Sequence, residues 1–248
     1  MLLYHAIGEG PDACLEERFA EQMAWLATHA KVVSLEDLLS VEDSEYLQIA
    51  ITFDDGYASV AQVAAPIMAR HGFSGTVYLT VSCIEDSEEL RRVSDPASGH
   101  LSGEQFMTWA EVRALESAGW LIGSHGLDHV DMTTRTPSEL RRQLENARER
   151  IEDRLGSECR AFAYPWGRND ATSRTAVMTA GYAHGAGTLH GPLRYGSSLI
   201  AFPRIDIRRE YRLDDFVCML RGDWDFLGTV QNLKALRHAS AFKHVGLI

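Results

Sequence analysis

No stretch of this chain approaches the roughly 20 consecutive apolar residues that a membrane-spanning helix needs, and it contains no internal repeat and no low-complexity tract. Cysteine is scarce. Cys14, Cys83, Cys159 and Cys218 are the four in 248 residues, with no close pair and no Cys-x-x-Cys spacing. They read as reduced thiols, not as a disulfide framework. Positive charge is also short: 24 Lys and Arg stand against 35 Asp and Glu, a net charge of −11 with histidine neutral. Phosphate contact needs clustered Lys and Arg, so the composition argues against DNA, RNA and anionic membranes as partners. Arg141, Arg142, Arg148, Arg150, Arg154 and Arg160 do cluster, but glutamates are interleaved with them, the pattern of a solvated helix face with i,i+4 pairs. No signal peptide precedes the strand expected at residues 2–4. That absence implies a cytoplasmic protein if the chain is complete, and a periplasmic or secreted one if a leader was removed.

What the chain does have is a 45% hydrophobic content, enough for one large core and a single domain over residues 1–248. Apolar runs of strand length alternate with amphipathic segments, which predicts an α/β protein built on a parallel sheet. Periodicity alone does not separate an open sheet from a closed barrel. Thr108 with Glu111, and Thr136 with Glu139, are capping boxes that open helices ending near Gly119 and at Gly156. Further helices are expected over 15–30, 35–39, 59–70, 172–180, 213–221 and 227–237. Residues 41–47 read as an acidic solvated connector, and the tail from Ala239 carries no clear pattern. Residues 84–105 are polar and broken by Asp95-Pro96 and Ser98-Gly99. A loop of that length in a compact domain is often functional; it reads either as a substrate-contacting loop at the mouth of a site or as a mobile insertion.

Two stretches carry chemistry. The run Ile49-Ala50-Ile51-Thr52-Phe53 ends abruptly in Asp54-Asp55-Gly56-Tyr57. Adjacent carboxylates raise each other's pKa, and a bound cation relieves that repulsion while leaving one of the pair free for proton transfer. By itself, Asp54-Asp55-Gly56 also reads as a turn. A second apolar run, Trp120-Leu121-Ile122, ends in Gly123-Ser124-His125-Gly126-Leu127-Asp128-His129. One helical turn would place His125 and His129 on one face. Two imidazoles and a carboxylate form a common three-ligand metal set with open positions. The helical zinc-protease pattern requires Glu after its first His, and Gly126 excludes it. The iron-oxygenase triad is disfavoured, because its first His normally lies two residues from its carboxylate and here the carboxylate precedes both histidines by about seventy residues.

Together these stretches resemble the NodB-type polysaccharide deacetylases, carbohydrate esterase family four. Thr52-Phe53-Asp54-Asp55-Gly56 is similar to the family's first motif and His125-x-x-x-His129 to its second. Ala163-Tyr164-Pro165-Trp166-Gly167 resembles the third, with Ala163 where Arg is usual. Leu3-Tyr4-His5-Ala6-Ile7 and Phe202-Pro203-Arg204-Ile205-Asp206-Ile207 are similar to framework, so the likeness covers about residues 2–207. The resemblance implies a distorted seven-stranded (β/α) barrel.

The expected ligand set is Asp55, His125 and His129 around one divalent ion, zinc first, with cobalt, nickel, iron and manganese as other occupants. Such an ion activates a water and polarises a carbonyl, and Asp54 is the general base. By resemblance, the Trp166 backbone N–H stabilises the oxyanion, and Tyr164, Pro165 and Trp166 line the sugar groove. Arg204 is the candidate to tether Asp54 in place of the missing motif Arg. The strand that should carry the family's proton-donating His has none, so His184, His5 and His190 are the alternatives, with His184 first. His29, His71, His100, His238 and His244 read as incidental. The resulting expectation is a metal-dependent hydrolase that removes an N-acetyl group from a sugar or glycan. The alternatives are an N-deformylase or other C–N amide hydrolase acting on a sugar precursor, and a catalytically silent carbohydrate-binding protein.

Overall fold

A computed structural model describes residues 1–40, 46–194 and 196–231. Most of the acidic connector, the end of the helix expected over 227–237 and the tail from Ala239 lie outside these. Nine strands are found among the described residues: β1 (Leu2–Tyr4), β2 (Lys31–Val32), β3 (Gln48–Ile49), β4 (Ile51–Phe53), β5 (Thr76–Leu79), β6 (Leu121–Ser124), β7 (Ala161–Ala163), β8 (His184–Ala186) and β9 (Ile205–Asp206). Seven of them form one sheet in the order β8-β7-β6-β5-β4-β1-β9, and every pairing between neighbours is parallel. The small β2–β3 pair was not legible in the pattern.

The sheet curls until its two edges are bridged by one segment. Phe202 exchanges backbone hydrogen bonds with the β8 side, at Gly185 and Gly187. Three residues later, Ile205 N–H donates to Met1 O and Ile207 N–H to Leu3 O. Residues 199–207 are therefore the closing seam of the barrel.

Side chains alternate across each strand. Outward-facing Leu2, Tyr4, Ile51, Phe53, Val77, Leu79, Ile122 and Phe162 join the large core beneath the helices. Inward-facing positions are mostly small: Ala50, Ala161, Ala163 and Ala186 share a second cluster with Tyr78 and Phe202. A Cβ on Gly123 would lie 2.6 Å from Tyr78 Cδ1. The small residues leave room in the barrel for Tyr78 and for the whole Arg204 side chain, whose guanidinium carbon lies 5.5 Å from the Tyr78 ring centre.

The covering helices are α1 (Glu16–His29), α2 (Leu35–Ser40), α3 (Ala65–Ala69), α4 (Trp109–Ser117), α5 (Pro137–Leu155), α6 (Ala171–Thr179) and α7 (Leu213–Arg221). Both expected capping boxes are formed, at Thr108/Glu111 and Thr136/Glu139. The helix expected over 59–70 differs: residues Val60–Ala64 form a π turn before α3 begins. Pro66 explains the switch, because it has no N–H to give to the i−4 carbonyl. Among the described residues no helix is long and apolar enough to cross a membrane.

Candidate active site

The Asp pair and the His pair sit at the C-terminal ends of the strands, where parallel barrels carry their sites. A cavity of about 910 Å³ opens at the other end, against Met1, Gln48 and Ile205, and holds none of them. β4 stops at Phe53, and the chain turns through Asp54, Asp55 (φ 70°) and Gly56 (φ 87°). Asp54 N–H is held by Tyr4 O at 3.0 Å. Among the described residues, the non-glycine residues with positive φ are Asp55, His129 and Trp166. Such backbone costs about 1–3 kcal/mol per residue, and all of this strain is concentrated on one place.

Asp54 is 2% exposed and Arg204 is 0% exposed. Arg204 Nη1 donates to Asp54 Oδ1 and Nη2 to Oδ2, each at 2.7 Å. Its remaining donors reach Gly187 O at 2.8 Å and Thr52 Oγ1 at 3.2 Å. Burial alone would raise the Asp54 pKa. The Arg204 charge and its paired hydrogen bonds, helped by His125, outweigh burial and bring it down to about 2. Asp54 is thus an oriented carboxylate, ionised at any physiological pH.

Asp55 faces the histidines. Its Oδ1 lies 3.4 Å from His129 Nε2, 3.6 Å from His125 Nε2 and 3.8 Å from His100 Nε2. The other ring nitrogens of the His pair are engaged. His125 Nδ1 meets Ala163 O at 2.8 Å, and His129 Nδ1 meets Ser98 O at 3.1 Å. A carbonyl only accepts, so each Nδ1 carries a proton, and a ring with no second proton turns its Nε2 lone pair toward Asp55. Oδ1 of Asp55 is buried and has no hydrogen-bond partner. Acceptors crowding an orphaned carboxylate oxygen repel one another unless a cation lies between them. With metal–ligand bonds near 2.1 Å, the edges of a tetrahedral site are about 3.4 Å long. The residues present therefore fit a divalent ion.

Burial lowers the His125 pKa, and the Asp54 charge only partly offsets this, leaving it at about 4. An unfolded histidine accepts its proton near pH 6.5, whereas the folded one refuses it until about pH 4. The stability of the metal-free protein is therefore full above pH 6.5 and drains away between 6.5 and 4, by about 3 kcal/mol from His125 alone. Urea unfolding of chelator-treated protein at pH 7.5 and pH 5 measures this, and equal midpoints at the two pH values would contradict it.

The expected residues divide as follows. Asp54, Asp55, His125, His129 and Arg204 are brought together. The His pair does so from a loop that turns through Gly126, φ 86°, and not from a helical turn. Trp166 stands at the rim, 42% exposed, its ring centre 4.4 Å from that of His129. Tyr164 and Pro165 are not available to a sugar, because both are buried. Tyr164 shares the outward parity of Phe162, against which its ring packs at 5.1 Å.

His184 is also misplaced in the sequence expectation. It opens β8 and pairs with Ala161, the first residue of β7. It therefore lies at the N-terminal end of the barrel, near Arg160 and Glu36. His190 is set among Asp225 and Asp206. His5, just after β1, is the one of the three that stands near Asp54 and His100. His100, read as incidental, is buried beside Asp55. The available signal was its place: a lone His after Ser98-Gly99 in an overlong loop.

Comparison with known proteins follows the same line. YxkH of Bacillus subtilis (strain 168) is 23% identical over 214 residues, 84% of this chain and 70% of YxkH. The peptidoglycan-N-acetylmuramic acid deacetylase PdaA of the same organism is 22% identical over 138 residues, 53% of this chain and 44% of PdaA. Among solved structures, the Streptococcus pyogenes deacetylase PplD superposes with a TM-score of 0.73 at 18% identity, covering 88% of this chain and 96% of PplD. A de-N-acetylase from Aggregatibacter actinomycetemcomitans gives 0.73 at 18% identity, over 88% and 98%. These two likenesses establish the fold. The polysaccharide deacetylase family model matches residues 43–185. That span is more than half of the chain and contains both the Asp pair and the His pair, and the chain belongs to the polysaccharide deacetylase family.

Proposed function

We propose that this chain is a single-domain, metal-dependent N-deacetylase of a sugar or glycan, releasing acetate and leaving a free amine. The observation that carries the reading is the pairing of two features: an orphaned Asp55 oxygen facing the lone pairs of His125 and His129, and beside it an ionised carboxylate, Asp54, that takes no part in that cluster. A binding protein needs the first but has no use for the second.

When bound by Asp55, His125 and His129, a divalent ion supplies Lewis acidity toward water and the amide carbonyl. Asp54, oriented by Arg204, accepts the proton of the attacking water. The Trp166 backbone N–H is the proposed donor to the developing oxyanion. Its indole, exposed above His129, offers a flat apolar wall to a sugar ring. His5 replaces His184 as the proposed proton donor to the leaving amine, because it stands at the correct end of the barrel.

The test is acetate release from N-acetylglucosamine oligosaccharides by protein stripped with chelator and then restored with zinc, cobalt or nickel. Acetate released only after metal is restored is the expected result. One equivalent of bound metal with neither acetate nor formate from any N-acylated sugar would return the protein to the binding-protein reading.

A further inference from the structure

The loop over residues 84–105 is bound into the site at both sides of one histidine. Before it, Ser98 O receives the His129 Nδ1 proton at 3.1 Å. Gly99 takes φ 80° and packs so closely on Trp166 that a Cβ there would lie 2.1 Å from the indole Cζ2. After it, Leu101 N–H donates to the Tyr57 hydroxyl at 2.8 Å, and Tyr57 belongs to the turn that carries the Asp pair. The chain between these anchors has nowhere to put His100 except inward.

There the ring stacks on His129, with centres 4.3 Å apart, and lies edge-on to Phe106 at 5.0 Å. Its Nε2 is 3.8 Å from the orphaned Asp55 oxygen and 3.4 Å from Thr80 Oγ1. Asp55, His100 and His129 each offer a ligand atom within 4.8 Å of the others. The Asp55–His100 distance is close to the tetrahedral edge expected for zinc, about 3.4 Å, and close to those made by His125 and His129. Of the two partners Nε2 approaches, the Thr80 hydroxyl can donate to it as well as accept, and the other is the oxygen that already lacks a donor.

We propose that His100 is a third imidazole ligand of the ion, so that the 84–105 loop is a ligand-bearing arm of the site and not merely its rim. With Asp55, His125 and His129 this makes four protein ligands. Water or substrate then enters as a fifth, or by displacing His100, the ligand carried on a loop. The inference rests on the metal-site reading given above but not on the substrate, and zinc binding is measured without substrate. A protein that releases no acetate therefore still decides the point.

Zinc affinity is measured by competition with a chromophoric chelator for the parent and for His100→Gln. Removing a ligand should weaken binding at least as much as removing an outer partner does, about 10- to 100-fold. In the unmodified protein, histidine ring-nitrogen resonances are followed as zinc is added. Three Nε2 signals should shift together, and the variant, which need only fold, identifies the third. Circular dichroism of the metal-free variant checks the fold. Two shifting signals with affinity within twofold of the parent would overturn the role of His100 alone. A parent that binds no zinc would overturn both it and the site.

Discussion

Asp54→Asn should lower the rate of acetate release by about 10²–10⁴-fold, the range lost when a positioned general base is removed, while zinc still binds at one equivalent. Asn keeps the shape and one acceptor oxygen but cannot take a proton. It also removes the negative charge that faces Arg204, so the variant is expected to melt earlier than the parent. The rate must therefore be expressed per folded molecule, at a temperature where both proteins are native. A variant that binds zinc, stays folded and retains more than a tenth of the parent rate would remove Asp54 from the mechanism. Asp55→Asn should fail differently, losing metal before it loses rate.

Arg204→Met should destabilise the fold by about 3–5 kcal/mol, the usual consequence of stranding one charge of a buried pair. With the guanidinium gone, burial dominates at Asp54 and its pKa moves up instead of down. The pH dependence separates this from simple loss of packing. In the parent, Asp54 is held near 2, below the unfolded carboxylate value near 3.9, so its contribution is complete above about pH 4 and lost as pH falls through 2. In the variant the sign reverses, and acid should narrow the gap to the parent by neutralising the stranded carboxylate. The double change Arg204→Met with Asp54→Leu should recover most of the stability, since a well-packed apolar pair can replace a buried ion pair. Denaturant midpoints for the parent, Arg204→Met, Asp54→Leu and the double variant test the coupling. Additive losses, with no recovery in the double variant, would mean that the two side chains do not act as a pair.

The sequence revealed some of this arrangement and hid the rest for identifiable reasons. Asp54, Asp55, His125 and His129 stand at the ends of apolar runs, and a run that stops in clustered polar residues is a local signal. Arg204 was reachable through an absence, because Ala163 stands where a tethering Arg would be and Arg204 lies just before β9, the last described strand. His184 was misread because the local pattern does not show where its strand starts: it opens β8 and so stands at the N-terminal end of the barrel. Tyr164 was misassigned by parity, since the residue after β7 follows Phe162 outward while Ala163 points in. His100 had no period to reveal it. Its position depends on Tyr57, His129 and Trp166 gripping the loop from three distant parts of the chain, and such contacts leave no trace in a local pattern.

The seam has a consequence for when this protein becomes competent. The proposed ion ligands lie between residues 54 and 129, within the span matched by the family, 43–185, but the guanidinium that orients Asp54 arrives only with residue 204, on the segment that joins the two sheet edges. In the proposed mechanism, gathering metal and orienting the base are therefore separate events in the life of the chain. A nascent polypeptide still emerging from the ribosome, or one clipped before its last strand, would carry the ligands without the tether. On that reading barrel closure would act as an interlock, because the Asp54–Arg204 pair forms only once synthesis and folding have both run past residue 204.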